Sequence, residues 1–296
     1  MGEYSESTGT FKTEGGLTIY YRSFRADPER ARIVIVHGLG EHFGRYTNVM
    51  DRLLPKGFSI WGMDLRGHGL SEGARGHVAS FDDYISDVQP VVETAAKDRP
   101  DSMKCFLLGH SMGGLIALMY GLRFPQSIDG VIASSPALGV RVEVPAAKAV
   151  MGKILSAVFP GFSMNNELDA SKISHDENVV RAYLDDPLVH DRVSARWFTE
   201  ILSAMQKTNN AAPSMQVPIL LQIAGDDRLV NANSSKAFFQ NLAVGDKTLY
   251  VYDGLYHEIY NEPEDQRSKV LDDLESWLEA HIKSAPSSAG NQPAKQ

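Results

Sequence analysis

The stretch LLGHSMGG, residues 107–114, sets one serine among three glycines and a histidine. It is preceded by the apolar run KCF and followed by LIALMYG, which has helical composition. Strand, glycine-flanked serine, helix is the layout of a nucleophile elbow, in which small neighbours relieve crowding around a strained, exposed serine. A bare G-x-S-x-G also fits an ordinary glycine-rich turn. The rest of the chain decides between the two.

Working outward, apolar runs of strand length recur at residues 31–38, 58–64, 104–110, 130–135, 218–225 and 247–254. Most are apolar throughout rather than alternating, the pattern of strands buried on both faces. Helix candidates lie between them at 45–55, 81–98, 112–123, 232–243 and 264–282. This alternation predicts an α/β fold with a mostly parallel central sheet and helices on both faces. GLTIYYRSF, residues 16–24, alternates more and reads as an antiparallel edge strand.

The alternation breaks between Leu138 and Pro213, too long a stretch for a structureless loop. Within it AAKAVMGKILSAVF, NVVRAYL and SARWFTEILSAMQ have helical spacing, with Pro145, Pro160, Pro187 and Pro213 as breaks. The expected organisation is a core in two parts, residues 1–137 and 214–282, with a helical cap or lid at 138–213. Val150, Met151, Ile154, Leu155, Val158, Phe159, Phe162 and Met164 give the insertion more apolar surface than a linker needs. They serve either as a face packed on the core or as a lid over a site, and both can hold at once. Residues 283–296, KSAPSSAGNQPAKQ, have little to bury and are expected to be disordered.

Composition excludes several classes. The 296 residues carry a net charge of -8 with no basic stripe, which argues against a nucleic-acid partner. Cys105 is the only cysteine, so no intramolecular disulfide forms, and it reads as a buried small hydrophobe. No signal peptide is indicated, and no run reaches the roughly 18 apolar residues of a spanning helix. A cytoplasmic location is expected, peripheral at membranes.

In an open parallel sheet, ligands sit beyond the carboxyl ends of the strands. Those ends read HGLGEH, DLRGHGLSEG, HSMGG, GDDRLV and DGLYHE. Serine, acid and histidine thus follow one another at later strand ends, the chain order of a serine hydrolase triad. Ser111 is the candidate nucleophile, which needs a base to activate it, and His257 after the last strand is that base. Asp227 orients the histidine, because the following x-Leu-Val turns back into the next helix and leaves Asp226 solvated. His37, His42, His68, His77 and His110 read as loop shapers. The backbone N–H groups of Met112 and Leu39 are the expected oxyanion donors. No cluster has metal-ligand spacing, and no metal or cofactor is expected.

With these residues the sequence resembles the monoacylglycerol lipase branch of the α/β-hydrolase family, which includes enzymes often named lysophospholipases. The shared elements are HGLGEHFGRY at 37–46, DLRGHGLSEG at 64–73, LLGHSMGG at 107–114, DDRLV at 226–230 and YHEIYNE at 256–262. The resemblance implies the same triad and oxyanion donors, and a cap whose amphipathic part makes transient contact with a membrane surface and admits an acyl chain. It further implies that Glu41, Arg45 and Tyr183 lie at the glycerol end of a lipid ester substrate. Tyr260 departs from relatives that carry a second histidine there, and Leu39 replaces a smaller residue.

The expected function is therefore hydrolysis of monoacylglycerols through an acyl-enzyme, with a carboxylesterase or lysophospholipase of the same fold as the alternative. A non-catalytic binding protein is a more remote reading. An NAD(P)-dependent oxidoreductase is another, since residues 31–64 run strand, glycines, helix, strand, acid. Phe43 replaces the third glycine of that fingerprint, and Glu41 would face a pyrophosphate with like charge.

Overall fold

The computed structural model describes residues 3–141 and 146–283; Pro145 and the expected disordered tail beyond Lys283 lie outside the described residues. Eight strands form one sheet in the order β1 (Glu3–Lys12), β2 (Thr18–Asp27), β4 (Phe58–Met63), β3 (Ala31–Val36), β5 (Lys104–His110), β6 (Gly130–Ser134), β9 (Ile219–Ala224), β10 (Lys247–Tyr252). From β4 to β10 every neighbouring pair is parallel, while β1 and β2 are antiparallel additions. The stretch at 16–24 is thus antiparallel as expected but is not the edge. β1 covers it, and β1 escapes a reading by hydrophobic pattern because EYSESTGTFK is exposed along most of its length.

The apolar strands are buried on both faces because two separate helical layers claim them. Along β3, Val34 and Val36 join a core built with α2 (Asp82–Ala96) and α3 (Met112–Arg123). Ile33 and Ile35, one residue out of phase, join a second core with α1 (Thr47–Leu53) and α8 (Glu264–Lys283). This is the period of two expressed on both sides at once. α7 (Ala232–Asn241) adds Phe238 to the first layer.

Between β6 and β9 the chain leaves the sheet for α4 (Ala146–Val158), β7 (Ser163–Asn165), α5 (Glu177–Asp185), β8 (Arg192–Ser194) and α6 (Ala195–Ala211). The three expected helices are there, but so is a β7–β8 ladder that the sequence did not suggest. Strands of three residues are too short to carry a period. The apolar residues expected to pack on the core join neither core cluster, and the packed face comes from α6 instead. α6 buries Trp197, Ile201, Ala204 and Met205 in the core. α4 and the chain after it expose Val150, Met151, Ile154, Val158, Phe159 and Phe162, each more than half accessible to solvent.

The elbow fixes how α3 meets the sheet. β5 ends at His110, and Ser111 takes φ 54° and ψ -118° before α3 starts at Met112. A Cβ at Gly113 would stand 2.1 Å from the Val36 carbonyl oxygen, and one at Gly109 2.0 Å from that of Gly113. The first turn of α3 therefore packs backbone against backbone, closer than any side chain allows. Gly113→Ala is expected to destabilise the protein by about 1–3 kcal/mol in urea titration through overpacking, reversing the usual helical gain of alanine over glycine. Gly245→Ala, where nothing lies within 4 Å, is the near-neutral control.

Candidate active site

The strand ends converge on one cavity of about 150 Å³, much more than a single water needs. Gly38, Leu39 and Glu41 reach it from the loop after β3, His110, Ser111 and Met112 from the elbow, Leu229 and Val230 from the loop after β9, and His257 and Glu258 from the loop after β10. Tyr183 of α5 and Trp197, Ile201 and Met205 of α6 close it from the inserted segment.

Ser111 stands in the left-handed region of φ, where a side chain is strained, and its own N–H donates to the Ser134 carbonyl at 2.9 Å. His257 Nδ1 donates to Asp227 Oδ2 at 2.7 Å, which leaves Nε2 as the free ring nitrogen of the cavity that both share with Ser111. Asp227 Oδ1 accepts the N–H groups of Leu229 and Val230 at 2.8 and 2.9 Å. This turn is the physical content of the D-x-L-V signal. Asp226 instead pairs with the exposed Arg228. Burial raises the Asp227 pKa, but the His257 charge and hydrogen bond and the two N–H groups outweigh it, so its net shift is downward. For His257, burial disfavours the charged ring, yet the Asp227 carboxylate and hydrogen bond prevail and hold its pKa above the usual 6.5.

Neither the Leu39 nor the Met112 N–H has an acceptor among the described residues, and both residues line the cavity. Two unpartnered donors beside a serine suit a developing oxyanion. Glu41 shapes the loop that carries Leu39, since Oε1 accepts the Gly38 N–H at 2.6 Å and the Tyr46 hydroxyl at 2.8 Å. With that N–H taken, and α1 not starting until Thr47, the loop lacks the glycine-to-helix junction of a pyrophosphate site.

Arg45 does not point into the cavity but lies behind Glu41. Its Nη1 donates to Glu41 Oε2 and to Glu258 Oε1, both at 2.7 Å, and Nη2 donates to Glu258 Oε2 at 2.8 Å. The Tyr183 ring covers the guanidinium, 4.7 Å from its carbon. Burial raises the Glu41 pKa, but Arg45 above all, with His110, His37 and the Gly38 N–H, brings it down to about 2. Burial likewise pushes the Tyr183 phenol up to about 12.

Three residues of this region escaped the reading of the sequence. Glu258 belongs to the cluster just described, and an acid beside the candidate base was its only signal. His110 is no loop shaper; it ends β5 and lies against His257, ring centroids 4.7 Å apart. Burial, then the nearby His257, depress its pKa to about 4. Glu262 is fully buried and accepts the His175 N–H at 2.7 Å and the Tyr256 N–H, tying the histidine loop to the inserted segment. His37 and His68 do shape loops, through Leu65 N–H and the Arg66 carbonyl. Tyr260 turns its hydroxyl to Gln222 at 2.6 Å. Cys105 is buried as expected, its thiol pushed up to about 11.

A largely parallel sheet, helices on both faces and functional side chains at the strand ends define an α/β-hydrolase. Within that class the chain belongs to the family described as serine aminopeptidase, S33, whose model matches residues 27–264. It is similar to a monoacylglycerol lipase of Mycolicibacterium smegmatis, 35% identical over 95% of this chain and 100% of that one. It is also similar to phospholipase YtpA of Bacillus subtilis, 36% identical over 88% of this chain and 99% of the relative. Among solved structures, the Paleococcus ferrophilus monoacylglycerol lipase superposes with a TM-score of 0.78 at 33% identity, covering 94% of this chain and 99% of that one.

The buried cluster of two carboxylates and one guanidinium makes a stability prediction. Arg45→Met strands both acids, and breaking such a pair costs about 3–5 kcal/mol. Urea titration at neutral pH should show a loss of that size, relieved in part by adding Glu258→Met.

Proposed function

We propose that this protein is a serine hydrolase that cleaves monoacylglycerols to fatty acid and glycerol. The observation that carries this reading is the composition of the cavity that Ser111 and His257 share. One sector is polar, with Glu41, His110, Tyr183 and Glu258, and another is the apolar face Trp197, Ile201, Met205 of α6. An ester with a hydroxylated alcohol and an aliphatic acyl chain matches both. The similarity to named monoacylglycerol lipases supports the same substrate class.

In this reading Ser111 Oγ attacks the ester carbonyl carbon while His257 Nε2 takes its proton, and Asp227 stabilises the imidazolium. The carbonyl electrons move onto oxygen, held by the Leu39 and Met112 N–H groups. Collapse breaks the bond to the glycerol oxygen, which receives the proton from His257, and leaves an acyl-Ser111. Water then attacks the acyl carbon, gives its proton to His257, and the fatty acid departs as Ser111 is restored. Residues 138–213 serve as the cap, α6 forming the acyl wall. The exposed apolar face of α4, continued by Phe159 and Phe162, makes the contact with a lipid surface. Among the described residues no helix is long and apolar enough to cross a membrane.

Ser111→Ala should lower kcat by at least about 10³-fold while the melting temperature holds, and Asp227→Asn by about 10⁴-fold. The base must be neutral, and Asp227 holds the His257 pKa above 6.5, so kcat/KM should fall as pH drops through a midpoint above that value. In Asp227→Asn the midpoint should move down. An acid limb unmoved by that substitution assigns it to another group.

A hydrolysis panel tests the substrate class: monoacylglycerols, diacylglycerol, lysophosphatidylcholine, a short soluble ester and an alanine anilide. Monoacylglycerol should show the highest kcat/KM; preference for lysophosphatidylcholine moves the reading to a lysophospholipase, and for the anilide to a peptidase. The pair Met151→Ser and Phe159→Ser should weaken adsorption to neutral vesicles by about tenfold or more, given the apolar area removed, and leave soluble-ester hydrolysis unchanged. Equal adsorption rejects α4 as the lipid contact.

A further inference from the structure

The wall of the cavity holds Glu41 and Glu258 but, among the described residues, no lysine or arginine. Of the arginines beside it, Arg45 lies behind those acids with both Nη1 hydrogens on them and the Tyr183 ring over its face, and Arg141 donates to the Asp227 carbonyl. The Arg45 side chain is only 9% exposed. Two carboxylates against one guanidinium leave the cluster with a net charge of about -1, in a buried setting where charges act strongly. His110, which faces the same space, is held neutral by burial and by His257, so it adds no compensating charge. A second, water-sized cavity is lined by the same acids with Tyr46, His110, Tyr260 and Asn261, among the described residues again without a cation.

We propose that the Glu41–Arg45–Glu258 cluster is a charge filter for the alcohol part of the ester: it admits neutral and cationic alcohols and turns away alcohols that carry phosphate. The inference rests on the assignment of Ser111 as nucleophile, which puts the leaving alcohol in this cavity. A glycerol hydroxyl can donate to Glu41 Oε2 or Glu258 Oε1, each of which accepts only the Arg45 bond. A phosphate offers acceptors to acceptors, and reaching the guanidinium means displacing a bidentate carboxylate. Glu258 is the specificity-determining residue, because it supplies the second negative charge. Glu41 alone would neutralise Arg45, and its remaining oxygen is already committed to Gly38 and Tyr46.

The test uses three butyrate esters that share the acyl group and differ only in the alcohol: glycerol, choline and glycerol phosphate. The glycerol ester should exceed the glycerol phosphate ester in kcat/KM by at least about tenfold, the scale of like-charge juxtaposition, and the choline ester should also exceed it. The gap should persist in about 0.5 M salt, since buried charges are screened little, and so differ from repulsion by the net charge of the whole protein. Glu258→Gln should narrow it. Equal rates on the glycerol and glycerol phosphate esters, or a gap that salt abolishes and Glu258→Gln leaves intact, overturn the filter. Because the series is short-chained, refusal of long monoacylglycerols with the charge order kept would sink the lipase reading and leave the filter standing.

Discussion

Everything at the strand ends depends on how closely α3 approaches the sheet. The Gly113 backbone lies against the Val36 carbonyl, and that approach forces Ser111 into φ 54° as the chain turns from β5 to α3. A residue held there costs of order 1–3 kcal/mol and persists only where the surroundings over-determine it. Here they do. The Ser111 N–H is tied to β6 through Ser134, its carbonyl accepts the N–H of Leu115 and Ala137, and α3 is buried along most of its length. The strain is thus held by the packing of the sheet's first helical layer, and it leaves the Met112 N–H without an acceptor among the described residues.

The loops that complete the site are stitched to one another. Glu41 holds the Leu39 loop through the Gly38 N–H and reaches Arg45, which grips Glu258 beside His257. The inserted segment joins in at several points: the His190 N–H donates to the Gly40 carbonyl, the Glu258 N–H to the Ile173 carbonyl, and His42 Nε2 to Asp186. The Leu39 loop, the His257 loop and the insertion form one hydrogen-bonded unit. A shift of the insertion therefore acts on the loops beneath it through these bonds.

The parts legible in the sequence are those fixed by local chemistry or by period. β5 and α3 fall where the apolar run, the glycines and the helical stretch place them, and the Asp227 turn follows from its own next three residues. β1 was invisible because an exposed edge strand needs no apolar alternation. β7 and β8 were invisible because three residues carry no period. Glu258 is a different case, since its meaning lies in Arg45, 213 residues away in the chain, and no local pattern encodes a pairing across that distance. His110 was misread for the same reason, its neighbour His257 arriving from the far end of the fold.

The insertion divides its labour along its sequence, and the division follows from burial. α6 behaves as a core helix, its Trp197–Ile201–Met205 face packed with the layer that carries α3, so the apolar wall of the cavity is part of the core. α4 leaves its apolar face to solvent, and Val150, Met151 and Ile154 on it are each more than half exposed. Such a face is costly in water and inexpensive against an apolar surface. The exposed apolar face of α4 is thereby separate from the buried ions around Arg45. Side-chain changes at Val150, Met151 or Ile154 remove none of the hydrogen bonds among Glu41, Arg45 and Glu258.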